Sequence, residues 1–125
     1  MTYLLDTHAL IWYFENEGNL SRKAEDLIDD PANSIYVSAA TLWEITIKVG
    51  LGKLDVNFDL LLAQVEQASF FIVQMKNSYL QELIGMPQIH KDPFDRLLIA
   101  TAKIEKMILI TTDENIHKYE VEWLW

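Results

Sequence analysis

The sequence predicts an α/β fold, a three-layer α/β/α domain built on a central, mostly parallel sheet of four to five strands. Three observations carry that expectation. Short apolar runs alternate along the chain with amphipathic stretches of helical period, the pattern of successive βαβ units. Half of the 125 residues are hydrophobic and 23% are charged, enough to close a core without staples. Glycine and proline are scarce, and no repeat, low-complexity run or linker divides the chain. A single domain over residues 1–125 is therefore expected.

Element by element, Thr2–Asp6 (TYLLD) reads as a buried strand and His8–Glu15 as the helix that follows. Ser21–Asp30 is a second helix, closed by Pro31. Ile35–Ser38 (IYVS) is a short strand. Ala39–Val49 is helical through Leu42, Ile45 and Val49, with Ser38 as its N-cap and Gly50 and Gly52 ending it. Phe58–Gln67 is a helix, Phe70–Val73 (FFIV) a β-branched and aromatic strand, and Ser78–Gly85 another helix. Pro93–Lys106 carries the strongest helix signals: Asp92 caps it, Pro93 opens it, and Leu97, Leu98, Ala102 and Ile104 serve the core. Met107–Thr111 (MILIT) is a fourth strand and Val121–Trp123 a short fifth.

Composition narrows the chemistry. With no cysteine, disulfides, thiolate metal sites and a cysteine nucleophile are excluded. The opening MTYLLDTHALIWYF lacks a basic flank and a small-residue cleavage pattern, and Asp6 interrupts its apolar run. No apolar stretch reaches the roughly 20 residues of a membrane helix, so a soluble, cytoplasmic protein without membrane contact is expected. His8, His90 and His117 lack paired zinc spacing, and neither a GxSxG elbow nor a phosphate-binding glycine loop is present. The net charge of −9 serves solubility, or reflects acids gathered on a divalent cation.

Parallel sheets bind ligands beyond the carboxyl ends of their strands. Asp6 falls at the end of the first strand and Asp113 just past the fourth. Glu44 lies in the helix leaving the second strand, and Asp95 in the first turn of the Pro93 helix. Four distant acids thus point to one edge of the sheet. Carboxylate oxygens are the hard ligands Mg²⁺ and Mn²⁺ prefer. Each acid also has a local reading. Asp6 and Asp113 can cap the helices after them, Glu44 taken alone reads as solvent-facing, and Asp92 reads mainly as a cap. Arg96 can meet phosphate or, on the safer reading, pair with a neighbouring acid. Lys48 and Lys53 can meet phosphates or stand as solvated lysines beside a glycine C-cap. Trp12, Tyr13 and Phe14 are consecutive, so their helix is either packed on several sides or forms an interface.

Four segments, LLDTHALIW, SAATLWEITIKVGLGKL, HKDPFDRLLIATA and LITTDENI, occur in order over nearly the whole chain. Together they resemble the motifs of PIN-domain proteins, and in particular the VapC-type toxins of prokaryotic toxin–antitoxin pairs. The resemblance implies a Mg²⁺- or Mn²⁺-dependent endoribonuclease with Asp6, Glu44, Asp95 and Asp113 at its centre. Asp6 and Asp95 would be the principal direct ligands, with Asp113 and Glu44 acting through water or orienting the attacking one. Thr111, the threonine of the TxD motif, would hydrogen-bond within the site, and Arg96 and Asp92, the latter as ligand or as helix cap, would support it. Expected partners are RNA, a cognate antitoxin docking near Trp12–Phe14, and a second copy in a homodimer. Rival readings are a non-catalytic binding module, or a nuclease for ribosomal RNA or single-stranded DNA. An aspartyl-phosphate phosphatase would need an acid where His8 stands, and a receiver domain an acidic pair where TYLLD supplies one acid.

Overall fold

The apolar runs become five short parallel strands: β1 (Thr2–Leu5), β2 (Ser34–Ser38), β3 (Phe71–Val73), β4 (Ile108–Ile110) and β5 (Trp123–Leu124), in the order β3-β2-β1-β4-β5. The computed structural model describes all residues, Met1–Trp125. The helices are α1 (Thr7–Glu15), α2 (Arg22–Asp29), α3 (Ala39–Gly50), α4 (Phe58–Gln67), α5 (Asn77–Gly85), α6 (Pro93–Glu105) and α7 (Glu114–His117).

Strand alternation splits the core into two layers, because successive side chains leave opposite faces of a sheet. Leu4 and Leu109 face a cluster with Tyr79 of α5, Leu98 of α6 and Ile116 of α7. Tyr3, Leu5, Ile35, Val37 and Ile110 face the other side, against Ala9 and Leu10 of α1, Ile28 of α2 and Leu61 of α4. Helix α3 gives Ala40 to the first layer and Ile45 to the second, and packs on both α1 and α6. The expected three-layer architecture is thus the one observed. No helix is long and apolar enough to cross a membrane.

The connections at the carboxyl edge are very short. Asp6 alone separates β1 from α1, and Ser38 ends β2 while its hydroxyl accepts the Ala40 N–H of α3. Two expectations shift. The fifth strand is Trp123–Leu124 rather than Val121–Trp123, set by pairing of Leu109 with Trp123 and Ile110 with Leu124. Ile104, expected in the core, is 38% exposed, and Met107, at the turn into β4, is the residue buried at that end.

Candidate active site

The chain runs from β1 outward to β2 and β3, then returns to the other side of β1 for β4 and β5. The strand order therefore reverses between β1 and β4, and the crevice beyond their carboxyl ends is where such sheets bind ligands. Asp6 stands at that point, its N–H donating to Ile110 O at 3.2 Å. Its side chain is buried, and Oδ1 accepts the Ala9 N–H at 2.8 Å, capping α1. Thr111, also buried, accepts the Asp113 N–H on its hydroxyl at 3.0 Å and stands beside the Asp6 carboxylate, whose charged form it favours. Burial pushes the Asp6 carboxyl above the ordinary carboxylate range, and the charge of Asp113 adds to this. Thr111, Ala9 N–H and His8 oppose it. Asp113 itself caps α7 through Asn115 N–H at 2.8 Å.

The start of α6 supplies the second group. Asp92 Oδ1 accepts the N–H of Phe94 at 2.9 Å and of Asp95 at 3.0 Å, the capping role expected of it. Asp95 Oδ2 lies 3.1 Å from His90 Nε2, with the two side chains 19% and 13% exposed. The Asp95 carboxyl is pushed up to about 7, by burial first and then by the charges of Asp92 and Asp113, while His90 pulls it down.

Glu44 corrects its isolated reading: it is buried, not solvent-facing. One oxygen accepts the Thr7 hydroxyl and the other meets Lys48 Nζ at 2.9 Å. Lys48 is therefore not a free surface lysine. Its pKa is raised chiefly by its hydrogen bond to Glu44, with the charges of Asp92 and Asp95 also acting on it. Lys53 is exposed, as the solvated reading expected. Arg96 is the clearest correction. It pairs with no acid; its Nη1 donates to Pro87 O at 2.8 Å and to the Tyr119 hydroxyl at 3.0 Å, and Nη2 to Leu83 O at 3.4 Å. The α6 face that carries Arg96 is buried against the end of α5, where the guanidinium reaches the carbonyls of Leu83 and Pro87.

Electrostatic coupling joins Asp113 to both Asp6 and Asp95, and Asp92 to Asp95. Glu44 connects to this group through Lys48. No three of the chain's Asp, Glu or His side chains converge closely enough to form a ready-made ion site. The donor set nonetheless fits a hard divalent cation: it consists of carboxylates and a hydroxyl, and no lysine or arginine forms an ion pair with Asp6, Asp95 or Asp113. Capping occupies one oxygen of Asp6 and one of Asp113, so capping and ligation are compatible.

Sequence reasoning missed His90 and Tyr119. His90 stands five residues before Asp95 in HKDPFD, a usable signal once a hydrogen-bond partner rather than zinc spacing is sought. Tyr119 gives no local signal. His117, for its part, stacks on Trp123 and its Nε2 lies 2.9 Å from Thr111 O. Trp12, Tyr13 and Phe14 are all half-buried. Trp12 packs on Trp125, and Tyr13 and Phe14 on Phe70.

A parallel five-stranded sheet with carboxylates gathered at its switch point defines a class of acid-centred α/β domains. The PIN domain model matches residues 3–122, and the chain belongs to the PIN-domain family. Domains of this family are in general nucleases that use divalent metals. No curated protein sequence matches the chain. Among solved structures it is similar to VapBC2 from Rickettsia felis bound to a promoter DNA fragment, with a TM-score of 0.73 and 15% identity over 100% of this chain and 99% of that one. It is also similar to a toxin–antitoxin complex from Klebsiella pneumoniae (TM-score 0.65, 20% identity, 98% and 96% covered). A third likeness is to FitAcB from Neisseria gonorrhoeae (TM-score 0.64, 19% identity, 98% and 96% covered).

Proposed function

We propose that the chain is a Mg²⁺- or Mn²⁺-dependent endoribonuclease, the toxin of a toxin–antitoxin pair that blocks translation by cleaving RNA. The observation that carries this reading is the placement of Asp6, Asp95 and Asp113 around the switch point without lysine or arginine partners. These three would hold the ion, which when bound supplies Lewis acidity toward a phosphodiester and toward water. The protein's own residues prepare the site around it. Thr111 holds the Asp113 main chain beside Asp6 and favours the charged form of that carboxylate. Thr7 and Lys48 hold Glu44, a carboxylate suited to orienting the attacking water and accepting its proton. Helices α1, α3 and α6 begin at this edge, so the positive ends of their dipoles temper the acids.

Incubation of the purified protein with single-stranded RNA and Mn²⁺ tests the reading. Cleavage that EDTA stops and that D6N and D95N lack supports it; full metal-dependent cleavage by D6N would refute the assignment. Cleavage confined to single-stranded DNA would keep the site and change the substrate.

Two partners complete the proposal. The structural neighbours include toxin–antitoxin complexes, and Ile11 and Phe14 of α1 line a groove with Val56, Leu60 and Leu61, rimmed by Glu15 and Asp55, suited to an antitoxin segment that carries both apolar and basic residues. A homodimer would join two acidic sites into one RNA groove, and a monomer by light scattering at micromolar concentration would count against it.

A further inference from the structure

Three partners surround the Tyr119 oxygen: the His90 N–H at 3.3 Å, Arg96 Nη1 at 3.0 Å and His90 Nδ1 at 2.8 Å. The first two can only donate. A phenol oxygen accepts two hydrogen bonds and donates one. With both acceptor positions taken, the hydroxyl proton goes to His90 Nδ1. The neutral imidazole then carries its own proton on Nε2, which lies 3.1 Å from Asp95 Oδ2. The arrangement is rigid: Tyr119 and Arg96 are buried, and the carbonyls of Pro87 and Leu83 hold the guanidinium from its other side.

We infer that Arg96 and Tyr119 fix the Nε2–H tautomer of His90, and that His90 thereby clamps one oxygen of Asp95 and leaves the other to face a cation. His90 is then a positioning residue and not a metal ligand, because its Nε2 has no lone pair to give. This is the arrangement in which an outer hydrogen bond orients a ligating carboxylate. No donor of the chain hydrogen-bonds Asp95 Oδ1. The inference rests on the reading of Asp95 as a ligand, and it gives the histidine and the arginine on either side of that acid in HKDPFDR one shared task.

The test has two readouts. Imidazole ¹⁵N–¹H correlation spectra of EDTA-treated protein, recorded above the ordinary imidazole titration range, report the tautomer directly. Wild type is expected to show Nε2–H for His90, and Y119F a shift toward a mixture of tautomers. Mn²⁺ binding is then measured by electron paramagnetic resonance for wild type, H90A, H90Q and D95N, with circular dichroism confirming the fold. H90A should bind Mn²⁺ about tenfold more weakly, whereas H90Q, whose amide N–H replaces Nε2–H, should keep most of the affinity. A proton on Nδ1 in wild type overturns the inference. So does a folded H90A with wild-type affinity while D95N has lost it. Undiminished Mn²⁺ binding by D95N overturns instead the reading of Asp95 as a ligand.

Discussion

Replacing Asp95 with asparagine should abolish RNA cleavage and, in the metal-free protein at alkaline pH, make the fold more stable. Asp95 is a carboxyl whose native pKa is pushed up to about 7 from an ordinary 3.8. The native state therefore holds its proton more tightly than the unfolded chain does. Stability consequently falls as pH rises from about 4 to about 7, and the loss is complete above that window. A shift of this size corresponds to about 4 kcal/mol if taken at full value. The side chain is 19% exposed, and solvent screening and relaxation reduce the figure to about 2 kcal/mol. Asparagine keeps an oxygen for His90 but loses the charge near the α6 N-terminus, a loss of about 0.5 kcal/mol. D95N should thus exceed wild type by about 1–2 kcal/mol near pH 8, with the difference vanishing near pH 4. Urea denaturation of EDTA-treated protein at the two pH values measures it, provided the m-value is unchanged. A D95N protein less stable than wild type near pH 8, or a difference that does not move with pH, would refute the reasoning.

R96M should destabilise the protein by about 1–3 kcal/mol in the same assay, since it leaves the Pro87 carbonyl without its donor and removes one of the two donors to the buried Tyr119 oxygen; a change under about 0.5 kcal/mol would mean that these groups find other partners. K48M should cost about 1–2 kcal/mol, because Glu44 is buried and the lysine is its only cationic partner, while E44Q/K48M should recover most of that loss in a double-mutant cycle. Additive effects of E44Q and K48M would show that the pair does not interact. Trp43, next to Glu44 in α3, is 58% exposed and packs edge-on against Phe94, next to Asp95 in α6. W43A should weaken single-stranded RNA binding by about 1–3 kcal/mol at unchanged stability, measured by fluorescence anisotropy with D6N to prevent cleavage.

The fold was legible because its signals are local. TYLL, IYVS and MILI are short, apolar and β-branched or aromatic, and each is followed by a capping residue and a helical period. The carboxyl-end rule puts Asp6 and Asp113 on one edge from sequence alone, and the strand order sets both at the switch point. What stayed hidden depends on contacts between distant segments. Glu44 reads as solvent-facing in TLWEI because nothing local reveals that Thr7, at the start of another helix, lies against it. Arg96 reads as an ion-pair partner because it follows an acid, yet successive helix residues point about 100° apart. Its side chain turns instead to the carbonyls closing α5. Tyr119 was beyond reach for the same reason: its partners are His90 and Arg96, both far away in sequence.

The opposition between helix cap and metal ligand, natural when the acids are read one by one, dissolves in the structure. Asp6, Asp92 and Asp113 each direct one oxygen at main-chain N–H groups, contacts worth about 0.5–2 kcal/mol apiece. Lys48 holds Glu44 and His90 holds Asp95. Every acid at this edge therefore has a partner within the chain, which lets the fold form before any cation arrives. The compensation is incomplete, as the raised carboxyls of Asp6 and Asp95 show. On the proposed reading, one oxygen of each of Asp6, Asp95 and Asp113 serves the fold and the other is left for a divalent ion.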